Sequence, residues 1–268
     1  MTQLEGRVAV VTAAASGIGR AIATRLVADG ARVVAGDIDD GALRTLQAEC
    51  GDALVGQHCD VTDEADQEAL VERAVREFGA VHIGVANAGI AIPSTVVEQD
   101  VDAWRRVIDV SLTGAMITLK HVARAMAPGG SIVMIASLNA TQPAKAMGSY
   151  CAAKAGVRML AEVAALELGA AGIRVNTVAP GLVQTPTTAA FWAVPGLVEE
   201  FLDNSPLGRA ATPEDIASAV RYLVGPDSAH VSGAYLEVNG GAHTGRYPDL
   251  PAAFAAAFPA APATEESK

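Results

Sequence analysis

The chain has 268 residues, 51% of them apolar, with 26 glycines and a formal net charge of −11, which is long enough for one α/β domain with a large core. An acidic balance of that size excludes nucleic acid as a partner, because such affinity rests on lysine and arginine neutralising phosphates. No N-terminal segment reads as a signal peptide and no apolar run reaches the roughly eighteen residues of a membrane span, so a cytoplasmic protein without a membrane segment is expected.

Strand-like apolar runs fall at 7–12, 32–36, 54–59, 81–86, 131–136, 173–178 and 234–238, alternating with helical stretches. They are short apolar runs without polar alternation, which predicts strands buried on both faces, in a mostly parallel seven-stranded sheet covered by helices on each side. The first run leads into Ala13-Ala14-Ala15-Ser16-Gly17-Ile18-Gly19 and then a helix from about Arg20 to Ala28. A strand, a small-residue turn and a helix make a phosphate site: N–H groups at the helix start face the anion, and glycines let it come close. The second run delivers Asp37 eighteen residues beyond Gly19, near the spacing at which an acid accepts from a ribose 2′-hydroxyl.

Further along, Tyr150 and Lys154 stand four residues apart in a helix-forming stretch. Positions i and i+4 share a helix face, and an ammonium beside a phenol favours the phenolate and lowers its pKa. The pair therefore reads as a general acid/base for an alcohol oxygen, although the spacing alone also fits a surface pair. Cys50, Cys59 and Cys151 are odd in number and lack metal-ligand spacing with the five histidines, so neither a disulfide framework nor a metal site is indicated. Beyond about Gly245 the composition turns Ala/Pro-rich. Residues 246–268 read as a largely disordered tail, with the apolar stretch Ala252 to Ala261 available to pack on a neighbouring subunit.

In order along the chain stand Thr12 to Gly19, Asp60-Val61, Asn87-Ala88-Gly89, Ser137, Tyr150, Lys154, Pro180-Gly181 and Thr185. From about Gly6 to about Thr244 the sequence thereby resembles the short-chain dehydrogenase/reductase family. The resemblance implies a single-domain, doubly wound Rossmann-type fold over 1–245 and an oxidoreductase passing a hydride between a nicotinamide cofactor and a secondary alcohol or ketone. It implies Tyr150 as acid/base, Lys154 lowering its pKa and binding the nicotinamide ribose, and Ser137 bonding the substrate oxygen. Ala13, Ser16, Gly17, Ile18 and Gly19 would cradle the pyrophosphate, Asp37 and Ile38 the adenosine ribose, and Asp60 and Val61 the adenine. Asn87, Ala88 and Gly89 would take the central part of the cofactor, and Pro180, Gly181, Val183 and Thr185 the nicotinamide. A carboxylate at 37 repels a 2′-phosphate, and Ser16 and Ile38 stand where NADP-dependent relatives tend to place a basic residue, so NAD is the expected cofactor. NAD favours alcohol oxidation.

Two positions depart from the family pattern. Ala13 stands where the family usually has glycine, so the turn is made without that freedom. Ser111 stands where the family usually has the Asn that helps hold a water in a proton relay behind the lysine; a hydroxyl donates and accepts but does not span the same distance. Residues 186–209 occupy the family's variable substrate loop and carry Phe191, Trp192, Val194, Leu197, Phe201 and Leu202, which reads either as an apolar lid or as an amphipathic helix packed on the body. The substrate expected is a secondary alcohol or ketone with an apolar body, an acyl-thioester reductase being the rival within the class. A catalytically silent dinucleotide-binding sensor is the rival outside it, favoured by Ala13 and Ser111 and opposed by Ser137, Tyr150 and Lys154. Family resemblance also implies a homotetramer paired through helices near 100–127 and 149–170, whose Ala152, Ala161, Ala164 and Ala165 permit close approach, though an internal sheet contact explains these alanines as well.

Overall fold

In the computed structural model, which describes residues 3–246 and 248–257, seven parallel strands are ordered β3-β2-β1-β4-β5-β6-β7. They are β1 (Val8–Thr12), β2 (Arg32–Asp37), β3 (Leu54–His58), β4 (Val81–Ala86), β5 (Met126–Ile135), β6 (Arg174–Pro180) and β7 (Tyr235–Val238). The expected doubly wound sheet is thus the observed one. β5 begins five residues before the run read from sequence, because Met126 pairs with Val81 across a register shift, and Pro128, Gly129 and Gly130 hide that extension from any apolar pattern.

Alternate residues of the buried strands feed two cores. Ala9 and Val11 of β1 and Val33 and Ala35 of β2 join a cluster with Ile22, Leu26, Ile216, Val220 and Leu223. These come from α1 (Gly17–Ala28) and α9 (Pro213–Val224) on one face of the sheet. Val8, Val10 and Val34 turn to the other face, where they meet Leu70, Val122, Val157 and Ala161. That face is covered by α3 (Glu64–Phe78), α5 (Gly114–Ala125) and α6 (Gly148–Leu168). Ala161 and Ala164 are buried in this core, so they serve the chain's own sheet rather than a helix of another subunit; Ala165 packs on the same core and only Ala152 of the four is exposed.

Helix starts follow capping chemistry. Asp39 accepts from Ala42 N at the start of α2 (Asp40–Cys50), Asp63 accepts from Ala65 N before α3, and Asp100 from Ala103 N before α4 (Val101–Ile108). Thr212 and Asp215 form a reciprocal box around Pro213 at the start of α9, satisfying donors that the first turn leaves open. Between α4 and α5 the chain makes a π-helical turn, Asp109–Thr113, with Ser111 buried at its centre.

After β6 come α7 (Ala189–Trp192) and α8 (Leu197–Asp203), and the described chain closes with α10 (Leu250–Ala257). The last of these corrects the disordered-tail expectation over 250–257. Leu250 is buried with Met147, Val194, Leu197 and Phe201 of the same chain, and Ala253, Phe254 and Ala257 pack around them. An Ala-rich segment carries little amphipathic signal, so only its packing reveals the helix. The remainder of that tail, 258–268, lies outside the described residues. No described helix is long and apolar enough to cross a membrane, and the three cysteines are free.

Candidate active site

The C-terminal ends of β1, β2, β4, β5 and β6 converge on one crevice, the place where open parallel sheets bind ligands. After β1, Ala13 lies at φ 49°, a left-handed conformation reached here without glycine, which costs about 1 kcal/mol or more. The turn is therefore made without the family's usual glycine, as a strained one. Gly19 has a different reason: a Cβ there would stand 2.0 Å from the Ala13 carbonyl oxygen and 2.6 Å from Asn87 Nδ2. Asn87 clamps the turn from β4, its amide donating to Ala13 O at 3.0 Å and its N–H to Thr12 Oγ1 at 3.1 Å. Ser16, which precedes α1, makes no side-chain cap bond, so the first N–H groups of the helix keep their capacity for an anion.

Asp37 ends β2 with its carboxylate fixed, accepting from Ala15 N at 2.9 Å and from Asp39 N at 3.1 Å. It shares a cavity of about 550 Å³ with Ser16, Ile38, Asp60, Val61, Ala88 and Gly89. The Asp60 carboxyl is held below its usual range by the N–H and hydroxyl of Thr62, at 2.9 and 2.7 Å. Its oxygens thus stabilise the local turn. Arg105 and Arg106 line the same cavity, placing cations beside Asp37 and Asp60 that sequence reasoning did not anticipate; Arg105 is paired with Asp102 at 2.9 Å.

The cavity of about 190 Å³ that joins this region to the sheet's centre is lined by Ala13, Ser16, Gly17, Ile18, Asn87, Gly89, Ser137, Tyr150, Lys154, Pro180, Gly181, Val183 and Thr185. Residues from five separate sequence segments meet there. Thr185 caps the turn Pro186–Thr188 in a reciprocal pair with Thr188, and Gly181 is required by Asn239, whose Cβ would stand 2.9 Å from an added side chain. Thr187 and Thr188 also line this space; nothing in the sequence marks them, because hydroxyl residues in a loop have no distinguishing spacing.

Ser137, Tyr150 and Lys154 come together at the inner end. Ser137 follows β5, is buried, accepts from Asn139 N at 3.1 Å and has its carbonyl held by the Tyr235 hydroxyl at 2.7 Å. Its side chain hydrogen-bonds the Tyr150 hydroxyl. Lys154 is 3% exposed, and its Nζ donates to Ile135 O at 2.8 Å while standing 5.8 Å from the centre of the Tyr150 ring. Gly89 makes room for that ammonium, since a Cβ there would sit 2.9 Å from Nζ.

The electrostatics differ from the reading of the Tyr/Lys spacing. Burial raises the Tyr150 hydroxyl above its ordinary range, with the Ser137 bond pulling the other way. Lys154 is itself lowered to about 8 by burial. One helical turn of separation places the ammonium behind the ring, against a strand carbonyl, and desolvation then disfavours the charged form of each group.

Ser111 does not reach this cluster through its hydroxyl. Its Oγ accepts from Ile90 N at 3.0 Å and donates to Ile90 O at 3.1 Å, and the residue is fully buried. The serine thus ties the π-helical turn to the chain just beyond Gly89.

Beyond Ser137 and Tyr150 opens a third cavity of about 390 Å³, lined by Ile90, Pro93, Leu138, Met147, Leu182, Phe191, Phe201 and Phe254 among others. Residues 186–209 divide between this cavity and the core. Phe191 and Phe201 face this cavity, whereas Val194 and Leu197 are buried, and Leu202 lines a neighbouring space with Pro206 and His243. Phe254 and Met147 were missed from sequence, being apolar residues in segments with no positional signature.

Residues 12–243 match the family model described as enoyl-(acyl carrier protein) reductase. The chain is 45% identical over 240 residues to cis-4-hydroxycyclohexanecarboxylate dehydrogenase of Sinomonas cyclohexanicum, covering 88% of this chain and 96% of the relative. It is 40% identical over 245 residues to 3-alpha-(or 20-beta)-hydroxysteroid dehydrogenase of Mycobacterium tuberculosis, covering 91% and 92%. A solved short-chain type dehydrogenase/reductase from Mycobacterium ulcerans superposes with a TM-score of 0.89 at 33% identity, over 95% of this chain and 94% of that one. With its parallel sheet, its ordered motifs and these relatives, the chain belongs to the short-chain dehydrogenase/reductase family.

Proposed function

We propose that the protein is an NAD-dependent oxidoreductase that interconverts a secondary alcohol and its ketone. The observation that carries this reading is the Ser137–Tyr150 hydrogen bond at the junction of two cavities, with the Lys154 ammonium buried directly behind it. The strand-end cradle fits a nicotinamide dinucleotide on its own geometry: Gly19 admits no Cβ, the start of α1 carries no side-chain cap, and a fixed carboxylate ends β2. Ser16, Gly17 and Ile18 would hold its phosphates, Asp37 its adenosine ribose, and Thr185 and Val183 its nicotinamide end. When bound, that cofactor supplies the acceptor or donor of a hydride.

In oxidation, the alcohol O–H proton passes to the Tyr150 oxygen, and in reduction Tyr150 returns it. Ser137 orients the same oxygen and donates to it as charge grows there. Lys154, held against the Ile135 carbonyl behind the phenol, would bind the nicotinamide ribose, and its positive charge would offset part of the burial that raises Tyr150. Ser111 is a positioning residue: by holding Ile90 it fixes Gly89, and with it the pocket of Lys154. Exposed Trp104, Met116, Met159, Val163 and Leu166 on α4, α5 and α6 support the reading of a homo-oligomer, the tetramer of the family resemblance, since clustered apolar exposure marks an interaction surface.

The cofactor choice is testable by itself. NAD should exceed NADP at least about tenfold in kcat/KM, roughly the 1.4 kcal/mol of one repulsive charge, and Asp37→Ala should narrow the gap. Equal specificity constants in the unmodified protein would show that Arg105 and Arg106 offset Asp37, and the NAD preference would be withdrawn.

A further inference from the structure

Resting on the oxidoreductase reading above, we infer that α10 is a specificity element of the same site. Phe254 forms the apolar wall that restricts the substrate to secondary alcohols whose ring is uncharged. The helix lies past the span 12–243 that matches the family model, yet Phe254 lines the same cavity as Ser137 and Tyr150. Its ring meets Phe191 edge-on at 6.2 Å and 72°, and Phe191 stacks on Phe201 at 5.8 Å and 13°. Three aromatic rings from α7, α8 and α10 thus make one surface, of the kind that holds a cyclic aliphatic body.

The helix is fixed in place on two sides. Leu250 is 2% exposed within the small apolar cluster that also receives Tyr150, and Asp249 is ion-paired with Lys145. The connection leading to it is pinned by the Gln142 amide, which donates to Gly245 O at 2.7 Å and Ala242 O at 3.2 Å, and by Arg246 N donating to Asn204 Oδ1 at 3.2 Å. None of the described residues lining the cavity carries a charge. A carboxylate entering it would lose its hydration without gaining a cation, a cost that discriminates strongly. The relative named for 4-hydroxycyclohexanecarboxylate therefore marks the ring, and not the acid, as the shared feature.

The test compares two ring alcohols of matched shape, 4-isopropylcyclohexanol and 4-hydroxycyclohexanecarboxylate, with NAD and the full-length protein. The neutral alcohol should exceed the acid at least about a hundredfold in kcat/KM. Phe254→Ala should reduce the neutral alcohol's kcat/KM about tenfold, mainly through KM, with Phe254→Leu recovering most of the loss, and Phe254→Arg should shift the ratio toward the acid at least about tenfold. Equal or reversed preference in the unmodified protein overturns the inference, whatever the variants do, and so does an unchanged ratio in folded Phe254→Arg. Ligand-induced change in Tm separates this from the reading beneath it. If neither alcohol is oxidised, the oxidoreductase reading fails; the inference about the wall then stands only if the neutral alcohol raises Tm, the acid does not, and Phe254→Ala abolishes the rise.

Discussion

The cofactor end and the substrate end of the crevice are built by opposite means. At the cofactor end, short strand termini hold backbone and polar groups at fixed spacings: Ala13 in a left-handed turn, Gly19 against a carbonyl, Asp37 bonded to Ala15 N. At the proposed substrate end, α7, α8 and α10 bring the rings of Phe191, Phe201 and Phe254 into contact. Ser137, Tyr150 and Lys154 sit on the seam. On the proposed function, the difference teaches that the chemistry is anchored to the sheet, where a shift of one residue would disrupt the register, while selectivity is carried by helices that a few substitutions can repack.

Breaking the anchored side should cost the most function and reveal its stored energy. Lys154→Met should lose catalysis and yet stabilise the fold at neutral pH by about 3 kcal/mol, the free energy of lowering a lysine from 10.5 to about 8 by burial. The sign follows from linkage. Between about pH 8 and 10.5 the unfolded chain binds the proton that the folded chain has released, so wild-type stability should rise with pH across that window. The penalty is fully present below about 8 and absent above 10.5. Denaturant melts of both proteins across this range check it: a gap that is constant with pH would contradict the buried charge.

Ser111→Ala should have a smaller effect, about 1–2 kcal/mol, because it strips partners from both Ile90 N and Ile90 O. If Ser111 positions Gly89 rather than passing protons, turnover should fall with no change in the solvent isotope effect. Ser111→Asn, which must fit a fully buried position, should also be slower than the parent. The smallest effect is expected at Ala13→Gly. Relieving φ 49° should gain at most about 1 kcal/mol, since glycine's greater freedom in the unfolded chain offsets part of the relief, with little change in catalysis. A loss of stability there would show that the turn is not strained.

The same division explains what could be read from the sequence. Strands buried on both faces leave apolar runs, and their C-terminal ends carry small or polar residues in the order of the family pattern, so the sheet and the positions from Ala13 to Thr185 were legible. The start of β5, residues 126–130, was not, because Pro128 and Gly129 interrupt its pattern while its pairing extends back to Met126. The direction of the Tyr150 shift was misread for a related reason: spacing places a lysine on the same helix face but says nothing of how deeply both are buried. The residues of α10 are nearly all apolar and carry no helical pattern, so the sequence reads as a tail there, and only the three-dimensional cavity tells Phe254 from its alanine neighbours.

The central claim is that Tyr150 moves the proton in an NAD-linked alcohol oxidation. It is tested most directly by the initial rate of reduced-nicotinamide formation with a neutral cyclic alcohol, in the unmodified protein and in Tyr150→Phe, alongside cofactor affinity measured by binding. Tyr150→Phe keeps the ring and removes only the hydroxyl, so turnover should fall by on the order of 10³-fold while NAD affinity changes little. Retention of more than a few per cent of turnover, or an equal loss of NAD binding, would contradict the account.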